Sequence, residues 1–233
     1  MKRLLAAMTA ALLTVALVGP ASAASAKWLV WQYDPISGNG PYSSTAANPH
    51  AGTIATFAFD SASDQALLTT TASGYMKKGN LLGKAVTATI SITAPVGTVF
   101  TGYDNCAGGL PPTVRFYFDT NLILGAETTF QTGLYEDQMW WSNPVSVTLA
   151  DVWAAGPKGV TLSVTFDPAL WSNLVGAKGN ALIAPYASDF GTAASNVNQV
   201  GFSFGSGCSF AFGDGSSPAG ALFNLQKFST YTP

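Results

Sequence analysis

Apolar and hydroxyl-bearing positions alternate with a two-residue period over several stretches of this chain. Between Gly159 and Phe166, residues Val160, Leu162, Val164 and Phe166 fall on one face while Thr161, Ser163 and Thr165 fall on the other. That period suits a half-buried strand and is of no use to a helix. Val86, Ala88, Ile90 and Ile92 alternate in the same way with Thr87, Thr89, Ser91 and Thr93. Val114, Phe116 and Phe118 alternate with Arg115, Tyr117 and Asp119, which directs Arg115 and Tyr117 away from the core. Further strands are expected over 28–33, 53–60, 65–71, 99–103, 128–134, 138–142, 145–149, 197–204 and 220–228. Together they predict an all-β, antiparallel β-sandwich.

Turn residues punctuate the pattern. The Pro, Gly, Asn and Ser of 35–49 read as a long loop, and Ser61-Ala-Ser-Asp64 as a tight turn that closes an early hairpin. Asn143-Pro144 is expected to separate two strands, and Asp214-Gly215 reads as a hairpin turn. Asp167-Pro-Ala-Leu-Trp-Ser172 is a turn bearing Trp171, expected as core or edge cover. A helical turn or two is expected within 181–194. Alternation places Trp140 and Trp141 on opposite faces, so one is expected in the core and the other toward solvent or ligand.

The first residues add a compartment. Met1-Lys-Arg3 is a basic head, Leu4 to Gly19 is apolar, and Ala21-Ser-Ala23 offers a small-residue cleavage site. This reads as a secretory signal over 1–23 ahead of a single β-sandwich domain over 24–233, secreted, periplasmic or at the cell surface, with no membrane insertion of the mature chain. Cys106 and Cys208 are the only cysteines, and an even count in an exported chain implies a disulfide. Closing so long a loop would stabilise the fold by about 4 to 5 kcal/mol in the chain-entropy picture. Charged residues are only 9% of the chain, with 12 acidic against 10 basic, so hydroxyls and amides must cover the surface. No basic stripe exists to hold a nucleic acid.

Candidate chemistry is sparse. His50 is the only histidine, and the one Gly-x-Ser-x-Gly match, Gly201-Phe-Ser-Phe-Gly205, falls on the expected strand over 197–204 and not on a strand-to-helix elbow, so no nucleophilic triad is expected. Glu136-Asp137 beside Trp140-Trp141, with Asp119 or Glu127, is the best pair of carboxylates for a glycoside hydrolase or lyase. Neighbouring acids in a strand point apart, however, and a solvated turn explains them as well. No cofactor is implied; oxygen donors for a structural calcium could come from Asp34, Asp60, Asp104, Asn105 or Asp214, but no D-x-D-x-D-G loop is present. The aromatics favour binding over turnover. Trp140, Trp141, Tyr117, Arg115 and Tyr103 combine flat rings with polar groups, as a sugar requires for its C–H faces and its hydroxyls.

The segments Gly79–Ile92, Val114–Phe118, Trp140–Pro144, Thr161–Ser172 and Val200–Gly205, in this order and spacing, resemble a family of uncharacterised exported bacterial proteins. More loosely, they resemble the galactose-binding-like jelly roll of carbohydrate-binding modules, over about residues 79 to 228. The resemblance implies a jelly-roll sandwich and carbohydrate as the partner, without contact residues. The expectation is therefore a non-catalytic carbohydrate-binding module. The alternatives are a structural or adhesive extracellular protein and, behind it, a glycosidase or lyase.

Overall fold

The computed structural model describes residues 27–32, 43–75, 79–102, 110–120, 138–174, 176–181, 189–206 and 213–233. The strands are β1 (Trp28–Gln32), β2 (Ser43–Ala47), β3 (Ala55–Ala58), β4 (Gln65–Thr71), β5 (Ala85–Thr93), β6 (Val99–Gly102), β7 (Pro112–Thr120), β8 (Met139–Thr148), β9 (Val160–Thr165), β10 (Trp171–Asn173), β11 (Val197–Ser206), β12 (Asp214–Ser217) and β13 (Leu222–Tyr231). Two short helices, α1 (Leu149–Ala154) and α2 (Phe190–Ser195), complete the regular structure with a few single 3-10 turns.

The strands form two antiparallel sheets, as the alternation predicts. A nine-stranded sheet runs β10-β8-β7-β11-β4-β1-β2, with β12 bridging β4 to β6 beside this path, and a four-stranded sheet runs β3-β13-β5-β9. The inward side chains interdigitate between them. Val86, Ala88, Ile90 and Ile92 of β5 meet Val114, Phe116 and Phe118 of β7 and Val200, Phe202 and Phe204 of β11 in one buried cluster. Aromatic contacts fix its geometry: the ring of Phe118 lies 5.1 Å from Trp171, 5.5 Å from Phe166 and 5.9 Å from Phe190. Each edge-on or stacked pair contributes about 0.5 to 1.5 kcal/mol beyond area burial. Trp171 is a core residue whose indole N–H donates to the Thr165 carbonyl at 2.9 Å.

Four local expectations are corrected. The loop over 35–49 contains β2, an exposed edge strand whose sequence Ser-Ser-Thr-Ala-Ala lacks any apolar alternation and which is held by pairing with β1. The strands around Ser61–Asp64 do not form a hairpin, since β3 pairs with β13 in one sheet and β4 with β1 and β11 in the other. The chain instead turns a corner between sheets, where the Asp60 carboxylate accepts from the Ala62 amide at 2.8 Å and Ser63 takes a left-handed φ of 59°. Asn143-Pro144 does not break the chain into two strands. β8 runs through it with a bulge, and Ser142 Oγ accepts the Phe116 amide at 3.0 Å where the register shifts. Asp214-Gly215 opens strand β12 and is not a hairpin turn. The expected strand over 128–134 and the signal segment lie outside the described residues.

Candidate functional site

The expected sugar platform is dispersed and closed. Trp140 points into the sandwich, stacks 6.2 Å from Phe118 at an interplanar angle of 9° and meets Phe190 edge-on at 5.1 Å. Trp141 points to the opposite face of the nine-stranded sheet, as alternation requires. There it joins Ala66, Leu67 and Tyr117 in a second buried cluster, flanked by half-buried Trp31, Met139 and Leu174. Both indoles have 0% exposure, so the expectation that one of them faces solvent is corrected. Alternation assigns a face, and it says nothing about what packs over that face. Tyr117 is also buried, its ring 5.7 Å from Trp141. Arg115 shares that outer face and is half-buried, and loss of solvent lowers its pKa from the usual value. Tyr103 lies outside the described residues, as do Cys106, Cys208 and the expected disulfide between them.

The described carboxylates do not line the groove between β6, β7 and α1 or gather with one another, apart from the neighbours Asp60 and Asp64. Asp119 accepts from Tyr117 Oη at 3.1 Å and from Asn198 Nδ2 at 3.4 Å, and burial lifts its pKa to about 6 against these bonds. Its expected partners Glu127, Glu136 and Asp137 lie outside the described residues. Asp60 and Asp64 both receive Gln65 Nε2, at 2.7 and 2.6 Å. Burial first, and then the charge of Asp60, raises Asp64 to about 6. Asp214 is fully buried, and burial drives its carboxyl well above the ordinary range against the Gly205 amide. Among the described residues no three His, Cys, Asp or Glu side chains gather as metal ligands would. Asp34, Asp104 and Asn105 lie outside the described residues. His50 is exposed, and its backbone closes a small turn with Thr53.

A concave feature of the described surface lies elsewhere. β6, the start of β7 and α1 enclose an open groove of about 570 Å³. Its lining is largely apolar, with Phe100, Leu110, Pro111 and Trp153, and includes Thr98, Thr101 and Thr148, whose hydroxyls bond the Pro95 carbonyl, Ser63 Oγ and Asp151. Helix α1 positions Trp153. Thr148 caps it by accepting the Asp151 amide at 3.0 Å, and Leu149 and Val152 anchor it in the core. This geometry leaves the half-buried Trp153 on the flank, 6.0 Å from Phe100 in an edge-on contact. Thr98 donates to the Pro95 carbonyl at 2.8 Å, which leaves its oxygen free to accept. None of the described lining residues is titratable. Sequence reasoning passed over Trp153. Its available signal was Thr148-Leu-Ala-Asp151, a helix-capping pattern directly ahead of an aromatic.

No family model matches the chain, and neither a curated protein nor a solved structure matches it.

Proposed function

We propose that this protein is an exported, non-catalytic binding module for a neutral carbohydrate, and that the groove at Trp153 is its ligand seat. The observation that carries this reading is the placing of the half-buried Trp153 with three threonines in a groove whose described lining holds no charge. A pyranose ring lays its C–H face on such a surface and directs its hydroxyls to the rim. The fold supports a jelly roll. The chain passes between the sheets so that β3-β13-β5-β9 faces β4-β11-β7-β8, and among the described strands only β1–β2 and β7–β8 are neighbours in both sequence and sheet.

Isothermal titration with a panel of soluble neutral glycans tests the reading. Trp153→Ala should abolish binding with little change in melting temperature. Trp140→Ala, by contrast, should destabilise the fold by about 3 to 5 kcal/mol. Undiminished binding by Trp153→Ala, or no heat with any glycan, would remove the groove as a sugar site.

A structural or adhesive role is the second reading, and the exposed apolar side chains in and next to the same groove favour it. Val96 is wholly exposed, with Val99 at 60% and Leu110 at 55%. Its signature is concentration-dependent self-association by light scattering, reduced by Val99→Ser.

A further inference from the structure

We propose that the outer face of the four-stranded sheet is a docking surface for an acidic polysaccharide, a site separate from the groove and independent of it. The face is built in register. Thr87 lies opposite Ser163 on one side and Ser229 on the other, and Thr89 lies opposite Thr161 and Lys227. Directly opposed residues of antiparallel strands share a face, so these side chains make a continuous polar grid.

The grid is locked by its own hydrogen bonds. Thr87 Oγ1 donates to the Leu162 carbonyl at 3.0 Å and Ser163 Oγ to the Val86 carbonyl at 3.1 Å, while Thr89 and Thr161 share a proton at 3.0 Å. Gln226 Nε2 holds Ser91 Oγ at 2.9 Å and the Pro157 carbonyl at 2.8 Å. With their protons directed to backbone carbonyls, Thr87 and Ser163 can present acceptor lone pairs outward, and the Thr89–Thr161 pair adds a further hydroxyl site beside them. A polyhydroxylated chain supplies the matching donors.

Charge selects among such chains. The protein as a whole is acidic, with 12 carboxylate residues against 10 basic ones, yet β3, β5, β9 and β13 contain no Asp or Glu. Lys227 projects from the middle of the grid and is exposed, and exposed Lys158 follows Pro157 at the end where Gln226 sits. Lys84 stands at the other end, with Nζ on Thr232 Oγ1 at 2.7 Å. A polymer whose sugar units carry carboxylates satisfies both the ammonium groups and the hydroxyl acceptors. A neutral polymer leaves the lysines unused, and a nucleic acid would lack the base-stacking platform it needs, because Tyr231 is the one large exposed ring on these strands.

Affinity electrophoresis of the purified protein in gels containing polygalacturonate, with dextran as the neutral control, tests the proposal. Retardation is expected in polygalacturonate alone. It should be lost as the ionic strength rises from about 0.01 M to 1 M, where the screening length falls from about 30 Å to 3 Å. The double variant Lys158→Glu/Lys227→Glu changes only exposed side chains and should weaken retention about tenfold, on the order of 1.4 kcal/mol, with unchanged melting temperature. Thr89→Val/Thr161→Val should weaken retention with the charges intact, and Trp153→Ala should leave it unaltered. No retardation in polygalacturonate at low salt would overturn the proposal. So would equal retardation in dextran, or retention unaffected by the lysine double variant.

Discussion

Asp119 shows how one side chain records its surroundings. Its carboxyl is raised to about 6 because burial disfavours the charge more than the Tyr117 and Asn198 bonds favour it. A carboxyl whose pKa is higher in the folded than in the unfolded chain binds its proton more tightly when folded. Its contribution to stability is therefore complete below about pH 4 and is lost as pH rises through about 6. Asp119→Asn keeps an acceptor for Tyr117 and removes that loss. The variant should match the parent at pH 4 and exceed it at pH 7 by on the order of 2 kcal/mol, allowing for residual solvent contact. Chemical denaturation at the two pH values measures this, and equal stability at pH 7 would contradict it. The alternation correctly sent Asp119 and Tyr117 to one face and set Trp140 and Trp141 on opposite faces. The burial of Asp119, Tyr117 and Trp141 was not legible, because the period of a strand carries no information about the layer above it.

At the scale of elements, legibility followed the strength of the apolar pattern. β5, β7, β9 and β11 each place their inward residues where the alternation puts them, since a register slip would send every apolar side chain to the wrong face. β2 and β12 were illegible because Ser-Ser-Thr-Ala-Ala and Asp-Gly-Ser-Ser bury no apolar stripe, and pairing alone makes them strands. The continuity of β8 through Pro144 depends on a bulge opposite Phe116, which is a property of the partner strand. Glycine also has a tertiary role here. A Cβ at Gly201 in β11 would stand 2.0 Å from the Leu68 carbonyl oxygen, backbone that cannot yield without opening the β4–β11 ladder. Gly201→Ala should therefore destabilise the protein by about 3 kcal/mol or more. Gly191→Ala in α2, where a Cβ meets nothing within 4 Å, should be neutral or stabilising by about 0.5 to 1 kcal/mol. Thermal unfolding of the two variants would decide, and similar shifts for both would refute the close-packing argument.

For the whole molecule, the sandwich was legible and the candidate site was not. Fold class follows from summed alternation, whereas the groove arises where β6, β7 and α1, distant in sequence, come together around Trp153. The same end of the molecule bears on the cysteines. The described strands β6 and β11 stop at Gly102 and Ser206, and a Cβ on Gly102 would lie 2.7 Å from Ser206 Cβ. Cys106 and Cys208 follow four and two residues later, distances that the chain can span at up to about 3.6 Å per residue. Non-reducing peptide mapping should find one Cys106–Cys208 cross-link, and two alkylatable thiols in the native protein would exclude it. Its closure would tie β6, which lines the groove, to the end of β11. The most direct test of the account is tryptophan fluorescence of the protein and of Trp153→Phe, titrated with soluble neutral glycans. Trp140, Trp141 and Trp171 are fully buried, so a saturable change in the parent that vanishes in Trp153→Phe is expected. A saturable change that survives in Trp153→Phe would place the ligand elsewhere and contradict the assignment of the groove.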